Sequence, residues 1–203
     1  MATVKVSDLI NRAKTIAQDV DFVQWTQAEW LDWYNECLLV LASMRVDALS
    51  MAAEIPIDQT ASTFNLPFGS DRLIDVLEYS KTGRIVRKID RAVLDEQFPY
   101  WRDAVSEAGP KYYTYNPDNP KQIHIYPSAL DTSHTLKVVV AMTPTSATSI
   151  DDVIGVDDYY APAIVNYMLY RGYLKISEQD EEMARVKFYF DAFHKMIGGG
   201  ESE

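Results

Sequence analysis

Trp25-Thr26-Gln27-Ala28-Glu29-Trp30-Leu31-Asp32-Trp33-Tyr34-Asn35 fixes the start of a helix and, with it, the way the chain divides. Thr26 and Glu29 have capping-box spacing, in which hydroxyl and carboxylate each take up a backbone N–H that the first helical turn leaves free. Trp25 and Trp30 occupy the two positions of a hydrophobic staple, which sets the angle of the incoming chain. Trp30, Leu31, Tyr34, Leu38, Leu41 and Met44 follow on one broad face, and Trp33, Cys37 and Val40 carry apolarity beyond a single stripe. A monomer's surface helix needs only a stripe, so the excess predicts burial on two sides, within the subunit or against a neighbouring copy.

Working outward, Ser7 is positioned to cap an earlier helix carrying Leu9, Ile10, Ala13, Ile16, Ala17 and Val20, with a break from Asp19 to Val23. From Ile55 to Pro144 the punctuation changes to prolines, glycines and short alternating runs, which predicts antiparallel sheet. Ser80-Lys81-Thr82-Gly83 reads as a hairpin turn between strands at Leu73 to Tyr79 and Arg84 to Ile89, and Asp90 as the cap of a short helix through Gln97. Asp157 or Asp158 is expected to cap a third major helix with Pro162 in its first turn, weakened near Gly172 and Ser177. A last helix is expected from near Glu178, with Met183, Val186, Phe190, Phe193 and Ile197 in a near-heptad stripe and Gly198 as its stop. The resulting fold class is α+β, with N- and C-terminal helices (1–50 and 157–197) forming a bundle around a central antiparallel β domain (51–156), and a flexible tail over 198–203.

Composition narrows the function. A chain of 203 residues with 47% hydrophobic content can bury a substantial core. No apolar run approaches bilayer length and Met1-Ala2-Thr3-Val4-Lys5 lacks a signal-peptide core, so synthesis and retention in a cytoplasm are expected, without a membrane anchor. Cys37 is the single cysteine, read as a small buried apolar residue. A net charge of -11 argues against gripping DNA phosphates, while remaining compatible with the wall of a conduit through which a polyanion passes.

Reactive chemistry is not indicated. Gly198-Gly199-Gly200 follows a helix, whereas a phosphate cradle needs glycines between a strand and a helix start. His124, His134 and His194 are scattered without metal-ligand spacing. Glu29 and Asp32, one turn apart, suggest an acid–base pair for glycoside hydrolysis, but capping and solvation account for them. Asp151, Asp152, Asp157 and Asp158 could hold calcium, but lack a calcium loop's spacing and central glycine. No enzyme activity, metal or cofactor is expected.

The opening motif, together with Gly83-Arg84-Ile85-Val86, Asp90-Arg91-Ala92-Val93-Leu94-Asp95, Ile123-His124-Ile125-Tyr126-Pro127 and Tyr160-Ala161-Pro162-Ala163-Ile164-Val165-Asn166-Tyr167-Met168-Leu169-Tyr170-Arg171, resembles the head-to-tail adaptor proteins of tailed bacteriophages, most closely the neck or tail-tube adaptors of short-tailed phages. The likeness covers roughly residues 7 to 197, with Cys37 where a small residue such as glycine is expected. It implies a virion structural protein in the neck between head and tail, made in the host cytoplasm. It would assemble as a dodecameric ring with itself, bind the portal protein and a tail nozzle or next tail component, and let DNA pass without specific binding. A phage-associated cell-wall hydrolase and a free cytoplasmic α+β binding module are the alternatives.

On that reading Trp33, Tyr34, Tyr167, Tyr170 and Arg171 supply portal and subunit contacts, Arg171 pairing with a helix carboxylate such as Asp32 or with a neighbour. Asn116, Asp118 and Asn119, in a loop stiffened by Pro117 and Pro120, face the tail. Gly198, Gly199, Gly200, Glu201 and Glu203 form a mobile tail that becomes ordered against the portal.

Overall fold

A computed structural model describes residues 2–57, 60–131, 133–176 and 180–198. Its helices are α1 (Val6–Ile16), α2 (Gln27–Met44), α3 (Arg91–Gln97), α4 (Ala161–Ile176) and α5 (Asp180–Met196). Its strands are β1 (Ser50–Ile57), β2 (Thr63–Asn65), β3 (Ser70–Tyr79), β4 (Arg87–Lys88), β5 (Val105–Ser106), β6 (Tyr112–Thr114), β7 (Gln122–Tyr126), β8 (Ser128–Ala129) and β9 (His134–Met142). The fold is α+β, in two compact units: a helical one from Met1–Leu49 with Pro144–Glu203, and a β unit from Ser50–Thr143.

The segment from 144 to 156, grouped by composition with the β domain, runs instead with the helices. The Asn35 amide on α2 grips both sides of Ala147, donating to its carbonyl at 3.1 Å and accepting its N–H at 2.8 Å. Ile154 and Val156 lie in the helical core.

In the helical unit, α2 begins as its sequence dictates. Thr26 Oγ1 accepts the Glu29 N–H, and Glu29 Oε2 accepts the Thr26 N–H at 2.9 Å. Trp25 and Trp30, both fully buried, meet edge to face at 5.4 Å. The buried α2 residues, Trp30, Trp33, Tyr34, Cys37, Leu38 and Leu41, alternate steps of three and one and so fill one broad stripe. They share a core with Leu9 and Ile10 of α1, Ile164 and Met168 of α4, and Val186 and Phe193 of α5.

Gly172 lies within α4, where a Cβ would stand 3.3 Å from the Trp33 ring and 3.4 Å from Trp25. Its missing side chain is the seat of both indoles. Gly172→Leu is therefore expected to destabilise the helical unit by about 1–3 kcal/mol through overpacking, despite a gain in helix propensity. Denaturant unfolding checks this, and an unchanged midpoint would refute it.

Two expected caps are used differently. The first N–H groups of α1 are taken by loop carbonyls, Val6 N by Asp152 O and Ser7 N by Ile150 O, while Asp8 accepts the Lys5 N–H; Ser7 is not the cap. Ahead of α4 a 3-10 turn (Asp158–Tyr160) intervenes, and neither Asp157 nor Asp158 caps it. Asp158 instead accepts Thr3 N, Thr3 Oγ1 and Val4 N, which hold its carboxyl below the usual range. The end of α5 is closed by Gly198 at φ 87° and by Arg45, whose Nη1 donates to the Ile197 carbonyl at 2.8 Å.

The β unit is mixed rather than wholly antiparallel. One sheet, in the order β1-β9-β3, is antiparallel; the second, β2-β7-β6-β4, carries a parallel β4–β6 edge; β5 and β8 pair in parallel. The expected hairpin after β3 closes its turn, with Gly83 N donating to Tyr79 O, but pairs only at Tyr79 and Arg84. The chain then crosses to the other sheet, where Arg87 aligns with Tyr112. The short helix capped by Asp90 forms as predicted, and β6 pairs antiparallel with β7 across the loop at Asn116.

Strand β3 departs from two-residue alternation. Its register against β9 shifts three times, leaving Asp71, Ile74 and Leu77 outside the ladder, so its buried residues, Ser70, Leu73, Val76 and Tyr79, recur every third position. Tyr79 in turn packs flat on Gly109, where a Cβ would lie 2.2 Å from the ring and where φ is 74°.

Candidate assembly interfaces

The aromatic residues expected at a portal and subunit contact divide into two groups. Trp33, Tyr34 and Tyr167 are buried in the chain's own core, which corrects their reading as contact residues. Tyr34 accepts the Gly155 N–H at 3.0 Å, and Tyr167 meets Phe193 at 5.1 Å. Burial first, then Glu36, pushes the Tyr167 hydroxyl well above its ordinary value. Tyr170 and Arg171 are half-buried. Arg171 Nε lies 3.1 Å from Glu36 Oε2, not against Asp32, with its N–H off the line of the oxygen, so the contact is Coulombic rather than a formed hydrogen bond.

Among the helices, α5 leaves several large apolar side chains uncovered. Val186, Phe193 and Ile197 face the core, while Met183 (50% exposed), Phe188 (65%) and Met196 (54%) do not. Phe190, partly exposed, lies 5.2 Å from Tyr170 on α4 and 4.3 Å from His194. The near-heptad stripe thus holds the core residues together with Met183 and Phe190, which border it on the side toward Tyr170. Phe188 and Met196 were missed, although a second set of apolar residues offset from the stripe was there to be read. Beside Met196, a groove of about 650 Å³ runs between Ile16, Pro162 and Val165.

The second candidate surface is the loop after β6. Asn116, Asp118 and Asn119 are exposed, and the loop is braced from within. Asn116 Oδ1 accepts Asp118 N and its carbonyl accepts Asn119 N, both at 3.0 Å, while Tyr115 donates to Pro120 O at 3.1 Å. Two clefts of about 480 Å³ each flank the loop and share Lys88, Tyr115 and Pro117. His124 lines one of them; burial, then Arg91 and Arg102, lowers its pKa, and Nδ1 lies 2.8 Å from Thr63 Oγ1.

Of the carboxylates considered for chemistry, Glu29, Asp151, Asp152 and Asp158 are engaged structurally. Glu29 is held below its ordinary pKa by Lys175 and the Thr26 N–H, the wrong direction for a general acid. Asp152 accepts Thr148 N and Ser149 N, and Asp151 lies 3.6 Å from Lys5. Among the described residues no cluster of metal-ligating side chains forms. Cys37 is buried, with its thiol pushed well above the ordinary value by burial. Gly198 is exposed at the end of α5; Gly199, Gly200, Glu201 and Glu203 lie outside the described residues.

No curated protein matches the chain. The model of one family, described as SU10 adaptor protein, matches residues 4–202, spanning the helices of both chain ends and the strands between them. A chain of this architecture, with helices from both ends around one core and strands between them, belongs to that family of phage head-to-tail adaptors.

Proposed function

We propose that this protein is one subunit of a dodecameric ring that joins the portal to the tail and lines part of the DNA channel. The observation carrying the reading is the apolar surface that α5 leaves open: a chain that closes its helical core over Trp30 and Phe193 leaves Met183, Phe188 and Met196 in water on different sides of that helix, and exposed apolar surface of this kind marks contacts with other proteins. That surface, with Tyr170 and Arg171, meets the portal or an adjacent subunit. The loop at Asn116, Asp118 and Asn119 meets the next tail component, and the residues from Gly198 to Glu203 lie along the portal. A net charge of -11 suits a wall past which DNA slides without adhering.

Mixing the full chain with purified portal particles and imaging the product tests this reading. Rings capping the portal vertex are expected, and a chain that stays monomeric both alone and with portal would overturn it. Asp118→Trp with Asn119→Trp is expected to block tail attachment while portal binding persists, because bulky groups spoil a preformed loop surface without touching the helical unit. The reverse outcome would invert the assigned orientation.

A further inference from the structure

We propose that β4 and the residue beside it form a cationic strip that docks the acidic helical unit of a second copy of this chain. The inference rests on the assembly reading above and adds the surfaces and the force that join one copy to the next. By sequence the two units differ sharply in charge. The helical unit holds 9 Lys and Arg against 18 Asp and Glu, a net of -9, whereas the β unit holds 10 against 12, a net of -2.

Six of the ten β-unit cations lie against a carboxylate of the same unit. The other four, Arg84, Arg87, Lys88 and Lys111, are exposed and have no ion-pair partner among the described residues. Topology brings them together: β4 is the edge of its sheet, and Arg87 N donates to the Lys111 carbonyl at 3.0 Å. Cations on an edge strand also discourage strand pairing, so contact there is made through side chains. On the helical unit, Asp21, Asp32 and Asp191 are exposed carboxylates without a partner among the described residues.

The protein's own acidic unit fits the strip better than a nucleic acid does. A chain at -11 repels a polyanion at range. A strip on one unit meeting the other unit of the next copy is a heterologous contact, which propagates and closes into a ring when the rotation allows. Complementary charge of this kind sets register and speeds encounter, and it weakens as salt screens it.

The test is self-association of the full chain, alone and on portal particles, at low salt and at about 0.5 M salt. Wild-type association is expected to weaken at least about tenfold in high salt, and Arg84→Glu with Arg87→Glu and Lys88→Glu to weaken it comparably at low salt. Mixing that variant with Asp21→Lys/Asp32→Lys/Asp191→Lys is expected to restore assembly, since each then offers the charge the other lacks. Failure of any wild-type copy to bind portal would count against the adaptor reading. Wild-type loading and self-association by the strip variant would overturn the strip alone, as would mixing without rescue, or duplex DNA binding that the strip variant loses while self-association persists.

Discussion

Trp30→Ala is expected to cost about 3–5 kcal/mol, the largest single loss among core positions of the helical unit. The ring is fully buried and is met edge to face by Trp25 at 5.4 Å and Trp33 at 5.0 Å, so removing it opens a cavity and cuts two aromatic contacts. It also removes half of the staple that sets how the chain enters α2. Trp30→Phe is expected to cost less, about 1–2 kcal/mol, because the indole N–H has no hydrogen-bond partner to lose. Urea unfolding should show the difference in the transition of the helical unit, since two compact units need not unfold together. A loss below about 1 kcal/mol for the alanine variant would mean that α4 collapses to fill the space.

Asp19→Ala is expected to cost about 2–4 kcal/mol, although Asp19 sits in a connecting loop. Its carboxylate accepts Val23 N at 2.8 Å, Gln24 N at 3.1 Å and Trp25 N at 3.0 Å, and so shapes the turn that delivers Trp25 to the core. Gln18 and Phe22 hold positive φ on either side. Burial raises the Asp19 pKa, but the three backbone N–H groups and Lys14 outweigh it and leave it below the ordinary 3.8. A depressed carboxyl contributes stability that is present above the unfolded-state value and lost as pH falls through the folded-state value. Wild-type stability should therefore drop as the pH goes below 3.8, while Asp19→Asn, less stable near neutrality, should show a flatter acid limb. Equal acid slopes for the two proteins would exclude this role.

Local chemistry was legible in the sequence wherever one or two residues decide it. Thr26 with Glu29 gave the start of α2, and Asp90 gave α3, because caps act over three or four residues. Where a distant segment satisfies the same group, the reading failed. The N–H groups of α1 that Ser7 was expected to serve are taken by carbonyls at Ile150 and Asp152, and Asp158 is drawn away to Thr3. The candidate interface suffered from the same blindness to partners. Trp33, Tyr34 and Tyr167 read as more apolar surface than one bundle needs, but the packed helices bury all three, while Phe188 and Met196, offset from the stripe, are left in water.

Strand β3 failed for a different reason, since three bulges impose a period that neither strand nor helix templates anticipate. Its consequence concerns fidelity. In the proposed ring, subunits around one axis would bring sheet rims close together, and a straight rim invites neighbouring sheets to fuse or exchange strands. Along β3 every third residue steps out of the ladder with β9, so the rim is interrupted three times along its length, and Ile74 and Leu77, at two of the interruptions, are exposed. A rim so interrupted is a poor template, which favours contact between copies in the proposed ring through side-chain surfaces that can separate and correct their alignment.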